Sequence, residues 1–168
     1  MRRLLPLALL CLATLPAHAE PAAPRYAAVL QAELEALKLA PECTTESPTR
    51  QVCRYRARAS TTERTLPARA VYSDETDTVY IYIERYLSAP ADNPRTPALL
   101  RRMMELNWEM LIGKLEWDPR SGEVRLGAVM STDSNFDRRA FRSLVKTLDT
   151  LSARHRPALA SLLEPAAP

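Results

Sequence analysis

"TVYIYIERYL", Thr78 to Leu87, alternates without interruption. Val79, Ile81 and Ile83 fall on one face; Tyr80, Tyr82, Glu84 and Tyr86 fall on the other. β-Branched and aromatic residues at period two fit a pleated strand with one covered face. The acidic "SDETDT" that leads into it is a turn. Before the turn, "TLPARAVYS" (Thr65 to Ser73) reads as a less regular strand with Pro67 near its start, where proline is tolerated. The two predict an antiparallel hairpin.

On the N-terminal side, "QVCRYRARAS" (Gln51 to Ser60) is a third period-two segment. Cys53, Tyr55, Ala57 and Ala59 face one way, and Arg54, Arg56 and Arg58 face the other. Further upstream, "RYAAVLQAELEALKLAPE" places Leu30, Leu34 and Leu37 at i, i+4 and i+7, with Val29 widening the stripe. That spacing predicts an amphipathic helix, ended by Pro41. Downstream, "SAPADNPR" is a proline-rich loop, and Thr96-Pro97 supplies a helix N-cap with proline in the first turn. Leu99, Met103, Leu106 and Met110 form the helix's apolar stripe, broadened by Leu100 and Met104, and read as core.

"LIGKLEWD" and "EVRLGAVMS" flank the turn "PRSG" and predict a second hairpin. Leu111, Leu115 and Trp117 alternate on its first strand; Val124, Leu126, Ala128 and Met130 alternate on its second. At "SNFD", Ser134 and Asp137 have capping-box spacing. From there Phe136, Ala140, Phe141, Leu144, Val145, Leu148 and Leu151 trace a last helical stripe, with Pro157 and a terminal "EPAAP" closing the chain. The order is helix, three strands, helix, two strands, helix. This predicts an α+β fold, a mainly antiparallel five-stranded sheet with three helices on one face and water on the other.

The first residues do not belong to that fold. "MRRLLPLALLCLATLPAHA" has Arg2 and Arg3, an apolar run from Leu4 to Leu15, and Ala17-His18-Ala19 at its end. This is the pattern of a secretory signal peptide, residues 1–19, cleaved after Ala19. The apolar run falls short of the roughly 20 residues a membrane-spanning helix needs. Residues 20–168 then form a single domain with its core at about 26–163, exported to the periplasm or secreted. The leader also takes two of the 23 basic residues and none of the 20 acidic ones, leaving a nearly balanced chain without a nucleic-acid-binding signature. Cys43 and Cys53 remain, an even pair in a short segment, and in an oxidising compartment they predict a disulfide closing the loop "CTTESPTRQVC".

The run "LLRRMMELNWEMLIGKLEWDPRSGEVRLGAVMS" carries a resemblance. A Leu-rich helix ending in Leu106-Asn107 runs into a strand, a Gly-containing turn and a second strand, and a helix with spaced leucines comes after them. In this the chain, from about Tyr26 to Leu163, resembles the YbjN family, bacterial proteins labelled sensory-transduction regulators, whose fold is similar to the type III secretion chaperones. The resemblance implies a non-catalytic α+β module that pairs with itself, as a homodimer, or with another protein. The export signal and the cysteine pair depart from the family and put a cytoplasmic regulatory role in doubt. Fold alone does not assign function.

Little in the chain looks like chemistry. After the leader, His155 is the single histidine, and two cysteines expected to be oxidised complete no cluster at zinc spacing. Gly113, Gly122 and Gly127 are the only glycines, too few for a phosphate-cradling loop, and no G-x-S-x-G turn exists. No cofactor and no metal are expected. Carboxylates that meet only in three dimensions leave open an envelope hydrolase working through a carboxylate pair. The other candidate is a surface: Arg54, Arg56 and Arg58 together with Tyr80 and Tyr82, if both strands turn these residues to the same side. Such a face is a mixed solvated surface, a protein-partner face, or a site for an anionic glycan or lipid head group. The expected activity is binding or chaperoning through protein contacts.

Overall fold

The computed structural model describes residues 23–58 and 65–164, so the leader, Ala59 and the last four residues lie outside it. The elements are α1 (Ala27–Ala36), β1 (Glu42–Ser47), β2 (Arg50–Arg58), β3 (Thr65–Ser73), β4 (Thr78–Ser88), α2 (Thr96–Glu109), β5 (Lys114–Trp117), β6 (Glu123–Ser131) and α3 (Arg138–Ser161). The sheet has six antiparallel strands in the order β1-β2-β3-β4-β6-β5, not five. The extra strand, β1, lies inside the segment expected to be a disulfide loop. Its polar "ECTTES" buries no side chain fully, Cys43 being only partly covered by the core, so no hydrophobic alternation marks it as a strand. The predicted disulfide is present, joining Cys43 to Cys53 directly across the β1–β2 ladder.

One continuous core holds the inward side chains of the strands, among them Cys53, Tyr55, Ala70, Ile81 and Leu126. All three helices contribute to it: Leu30 and Leu34 from α1, Leu99, Met103 and Leu106 from α2, Phe141 and Leu148 from α3. Each such side chain, fully buried, stabilises the fold by roughly 1.5–3 kcal/mol. On the opposite side of the sheet, a small separate cluster of Val52, Val71 and Tyr82, with Tyr80 against it, consists of strand residues alone.

Helix α1 is tied to α3 by Glu33, whose side chain is 2% exposed yet meets Arg138 at 3.2 Å and also Arg142. A carboxylate this deeply buried needs partners, because taking a charge out of water costs several kcal/mol unless it is paired.

Several expectations need correction. Tyr86 is not on the polar face with Tyr80 and Tyr82; it is fully buried, and its hydroxyl donates to the Ser152 carbonyl. The cause is a bulge: between Ile83 and Leu87 the β4–β6 register shifts, and Arg85 takes φ +48°. A bulge inserts residues that break the alternation. Pro67 lies one residue beyond the last β3–β4 pair, Ala68 with Ile83, so no bond to β4 is lost there. Leu111 is not in β5 but exposed in the turn before it, and Met104 points to solvent. Ser134 does not cap α3; Asp137 does, its carboxylate accepting the Ala140 N–H at 2.9 Å. Thr96 is the first residue of α2 and donates its hydroxyl to the Pro90 carbonyl, while Asn93 accepts the Arg95 and Thr96 N–H groups. Pro157 does not end α3, which continues to Ser161.

Candidate functional site

The arginines and tyrosines conspicuous in the sequence do share a side of the sheet. Arg54 pairs across the ladder with Arg69, and Arg69 with Tyr82, so all three project the same way. Tyr80 and Tyr82 stack with ring centroids 4.7 Å apart, and the Arg125 guanidinium lies 4.9 Å over Tyr82. Gly127 makes this possible, since a Cβ there would sit 2.8 Å from the Tyr80 ring.

Most of the polar groups on this face are engaged. Arg69 meets Glu84 at 2.7 Å, Arg125 meets Glu123 at 3.0 Å, and the Tyr80 hydroxyl donates to Glu116. Burial, and after it the bond to Glu116, pushes the Tyr80 phenol well above its ordinary pKa. The Glu123 carboxyl is held below its ordinary value, chiefly by Arg125. Tyr82 is 8% exposed. Of the three arginines predicted to share this face, Arg56 donates to the side chain and carbonyl of Thr65, and Arg58 reaches the Lys38 carbonyl at 3.4 Å. Arg54 faces Glu42 across the ladder and is exposed.

The apolar surface left uncovered adjoins this face where α2 runs into β5, and Tyr80 and Glu116 belong to both. Trp108 is 92% exposed, Met104 68%, Val129 62%, and Leu111 stands fully in solvent with Ile112 beside it. Of these, Leu111, Ile112 and Val129 line a cleft of about 520 Å³. Its walls are the Leu111–Gly113 turn, the Gly127–Met130 stretch of β6, and Ala140, Ser143 and Leu144 of α3. Gly113 allows the turn, with φ +91°. Asn107 anchors the strand beyond the turn: its amide accepts the Leu115 N–H at 2.8 Å and donates to the Leu115 carbonyl at 3.0 Å. This asparagine is therefore a clasp on the outer edge of β5 and not a plain helix cap.

Charge around the cleft is asymmetric. Ser143 also lines a shallow depression on α3 bounded by Arg138, Arg139, Arg142 and Lys146. Two of these, Arg138 and Arg142, are held by Glu33; Arg139 and Lys146 extend the basic rim, and Lys114 stands at the cleft's other side. Glu116 is the one carboxylate among the lining residues, and it carries the Tyr80 hydroxyl. Two carboxyl groups facing each other across a cleft, as a carboxylate-pair hydrolase requires, are not what lines this one. Among the described residues, no three His, Cys, Asp or Glu side chains converge as metal ligands would. His155 has its pKa lowered by burial first, then by Arg154 and Arg102.

The sequence carries one signal for this surface. Met104, Trp108 and Leu111 recur at spacings of four and three outside the core stripe, while Leu100 packs partly against the core. The extra stripe gives α2 more apolar face than one core contact uses. The sequence matches no protein-family model, and none of the curated proteins compared with it matches.

Proposed function

We propose that this chain is a non-catalytic, exported binding protein, chaperone-like or regulatory in the manner of the YbjN family, and that it works through protein–protein contacts. The observation that carries the reading is the cleft walled by the exposed apolar side chains of Leu111, Ile112 and Val129, with Met104 and Trp108 also exposed on the helix that leads into it. Contiguous apolar patches of this kind mark interaction sites, and tryptophan is among the residues most enriched where binding energy concentrates. Export is supported by the leader pattern and by the Cys43–Cys53 disulfide, a bond that persists in oxidising compartments. A helix, consecutive strands, a helix, a hairpin and a long final helix agree with a type III secretion chaperone-like arrangement, here with one additional edge strand.

The reading is tested by placing a photo-crosslinking residue at Leu111 in one chain and at Arg54 in another. Illumination in the native compartment, with mass spectrometry of the products, should give polypeptide adducts at Leu111 and few at Arg54. A second copy of the chain would appear as an adduct of doubled mass. Adducts at Arg54 alone would move the contact to the arginine–tyrosine face. No polypeptide adduct at either position overturns the proposal.

A further inference from the structure

The cleft has a feature that side chains alone do not explain: it is a gap in the sheet. Strand β6 has nine residues and β5 four, and their ladder stops at Lys114 with Gly127. Beyond that pair the Leu111–Gly113 turn carries the chain away. The far half of β6 keeps β4 on one side, through Ala128 with Ile81 and Val129 with Tyr80, and among the described residues has no strand on the other.

The ladder decides which backbone groups face the gap. Leu115 gives both its N–H and its carbonyl to Asn107, outside the sheet, so Lys114 and Glu116 are the β5 residues bonded to β6. Gly127 therefore points its N–H and C=O toward β5, and by period two so do Val129 and Ser131. The opposite end agrees, since the Thr132 N–H donates toward β4, to the Asp77 carbonyl, at 2.7 Å. Among the described residues, no strand stands beside Val129 on that side to take its N–H or C=O. Backbone donors and acceptors beside an apolar wall are poorly served by water and well served by another strand.

We propose that this gap receives one extended polypeptide segment of about four residues, some 13 Å of chain, as an added strand beside β6. The proposal rests on the protein-binding reading above and specifies its mode. Alternate side chains of the segment would meet Met130, Ala140 and Leu144 on the helix side and Val129 on the other, so those positions are apolar. The basic rim of Lys114, Arg139 and Lys146 calls for carboxylates flanking them. The gap is about four residues long, the reach of a single extended strand. The apolar walls and basic rim together fit a segment of another polypeptide whose alternating apolar residues are flanked by acids. Strand addition draws affinity from main-chain bonds and specificity from alternate side chains.

The test uses a library of randomised seven-residue peptides, selected on the folded chain with its disulfide intact. Enriched peptides should alternate apolar residues and carry Asp or Glu at a flank. Val129→Pro removes an N–H that points away from β4, a position where a sheet tolerates proline. It should weaken the selected peptides by about tenfold or more. Methylating alternate backbone nitrogens of the peptide should do the same on the unaltered protein, which keeps the test decisive if Val129→Pro misfolds. Amide exchange at Val129 and Ser131 should slow in the complex. Peptides that ignore both backbone changes but are lost with Leu111→Glu would overturn strand addition and leave protein binding standing. Failure to enrich any peptide would also overturn strand addition, while the crosslinking at Leu111 would still decide the broader reading.

Discussion

The two flanks of the sheet, β1 on one and the free half of β6 on the other, meet the same problem in different ways. Both present strand backbone without a neighbour. At β1 the exposed side chains are Glu42, Thr44, Thr45 and Glu46, and the disulfide pins the strand to β2. Charge and hydroxyl groups at an edge discourage another chain from adding to it. At β6 the neighbouring side chains are Val129, Ile112, Leu111 and Met130, and the charged groups stand back on the rim. Even β5, next to the gap, has its outer edge clasped by Asn107. Strand β2 also runs past its edge neighbour, beyond Arg54, but there Arg58 gives its N–H to Asp149 and the flanking side chains are the exposed Arg56 and Arg58. The free half of β6 is open beside apolar side chains, and that contrast distinguishes a binding gap from an unfinished edge.

The largest effect should come from the clamp that holds α3, one wall of the gap, against α1. Glu33→Lys would bury a cation against Arg138 and Arg142, and should cost at least about 3 kcal/mol or prevent folding. Glu33→Leu removes the buried charge without creating another and should cost far less. Urea unfolding of the two variants checks the order. Equal losses would mean the site senses only shape.

Next comes the guarded edge. Replacing Cys43 and Cys53 by alanine, or reducing them, should lower stability by about 2–3 kcal/mol, as expected for a loop of this size. The loss should be local as well as global. Amides of β1 should exchange with solvent much faster, while those of β6 on the far side of the sheet change only with global stability. A uniform increase across all six strands would mean that β1 is not a separately pinned edge.

How far the sequence discloses this contrast depends on where packing leaves a trace in it. Strand β4 is legible because Val79, Ile81 and Ile83 are buried on one side and the alternation records it. The record fails at Tyr86, because the bulge at Arg85 rotates the chain without any composition change to announce it. Strand β1 is illegible for the opposite reason: none of its side chains is fully buried, so nothing imposes a hydrophobic alternation on it. Pro157 suggests a helix end, yet helix packing around Leu159, which is buried, outweighs the one lost backbone bond. Arg54, Arg56, Tyr80 and Tyr82 are conspicuous by type, whereas Trp108 and Leu111 leave only a faint extra stripe whose exposure the fold alone reveals. A gap in a ladder is invisible in sequence, since it is set by the relative lengths of β5 and β6 after both have found partners.

The smallest effect concerns the flank of the sheet nearer β1, where α3 meets β2. Asp149 accepts the Arg58 backbone N–H at 3.2 Å, and burial raises its pKa to about 6, against the lowering influence of Arg58. The Tyr55 phenol beside it is pushed above its ordinary value by burial and then by Asp149, so it stays neutral through this range. A carboxyl that is protonated more readily in the folded chain than in the unfolded one makes the folded state the greater proton binder between about pH 4 and pH 6. Its contribution is therefore most favourable at pH 4 and below, and declines as the pH rises through about 6. Because the group is partly exposed, solvent screening should hold the effect to about 1 kcal/mol. Asp149→Asn mimics the protonated form, so the stability difference between variant and parent should grow from pH 4 to pH 7 in favour of the variant. Urea midpoints at the two values measure it. If the parent instead gains on the variant as pH rises, the bond from Arg58 outweighs burial, and this junction is held by the ionised carboxylate.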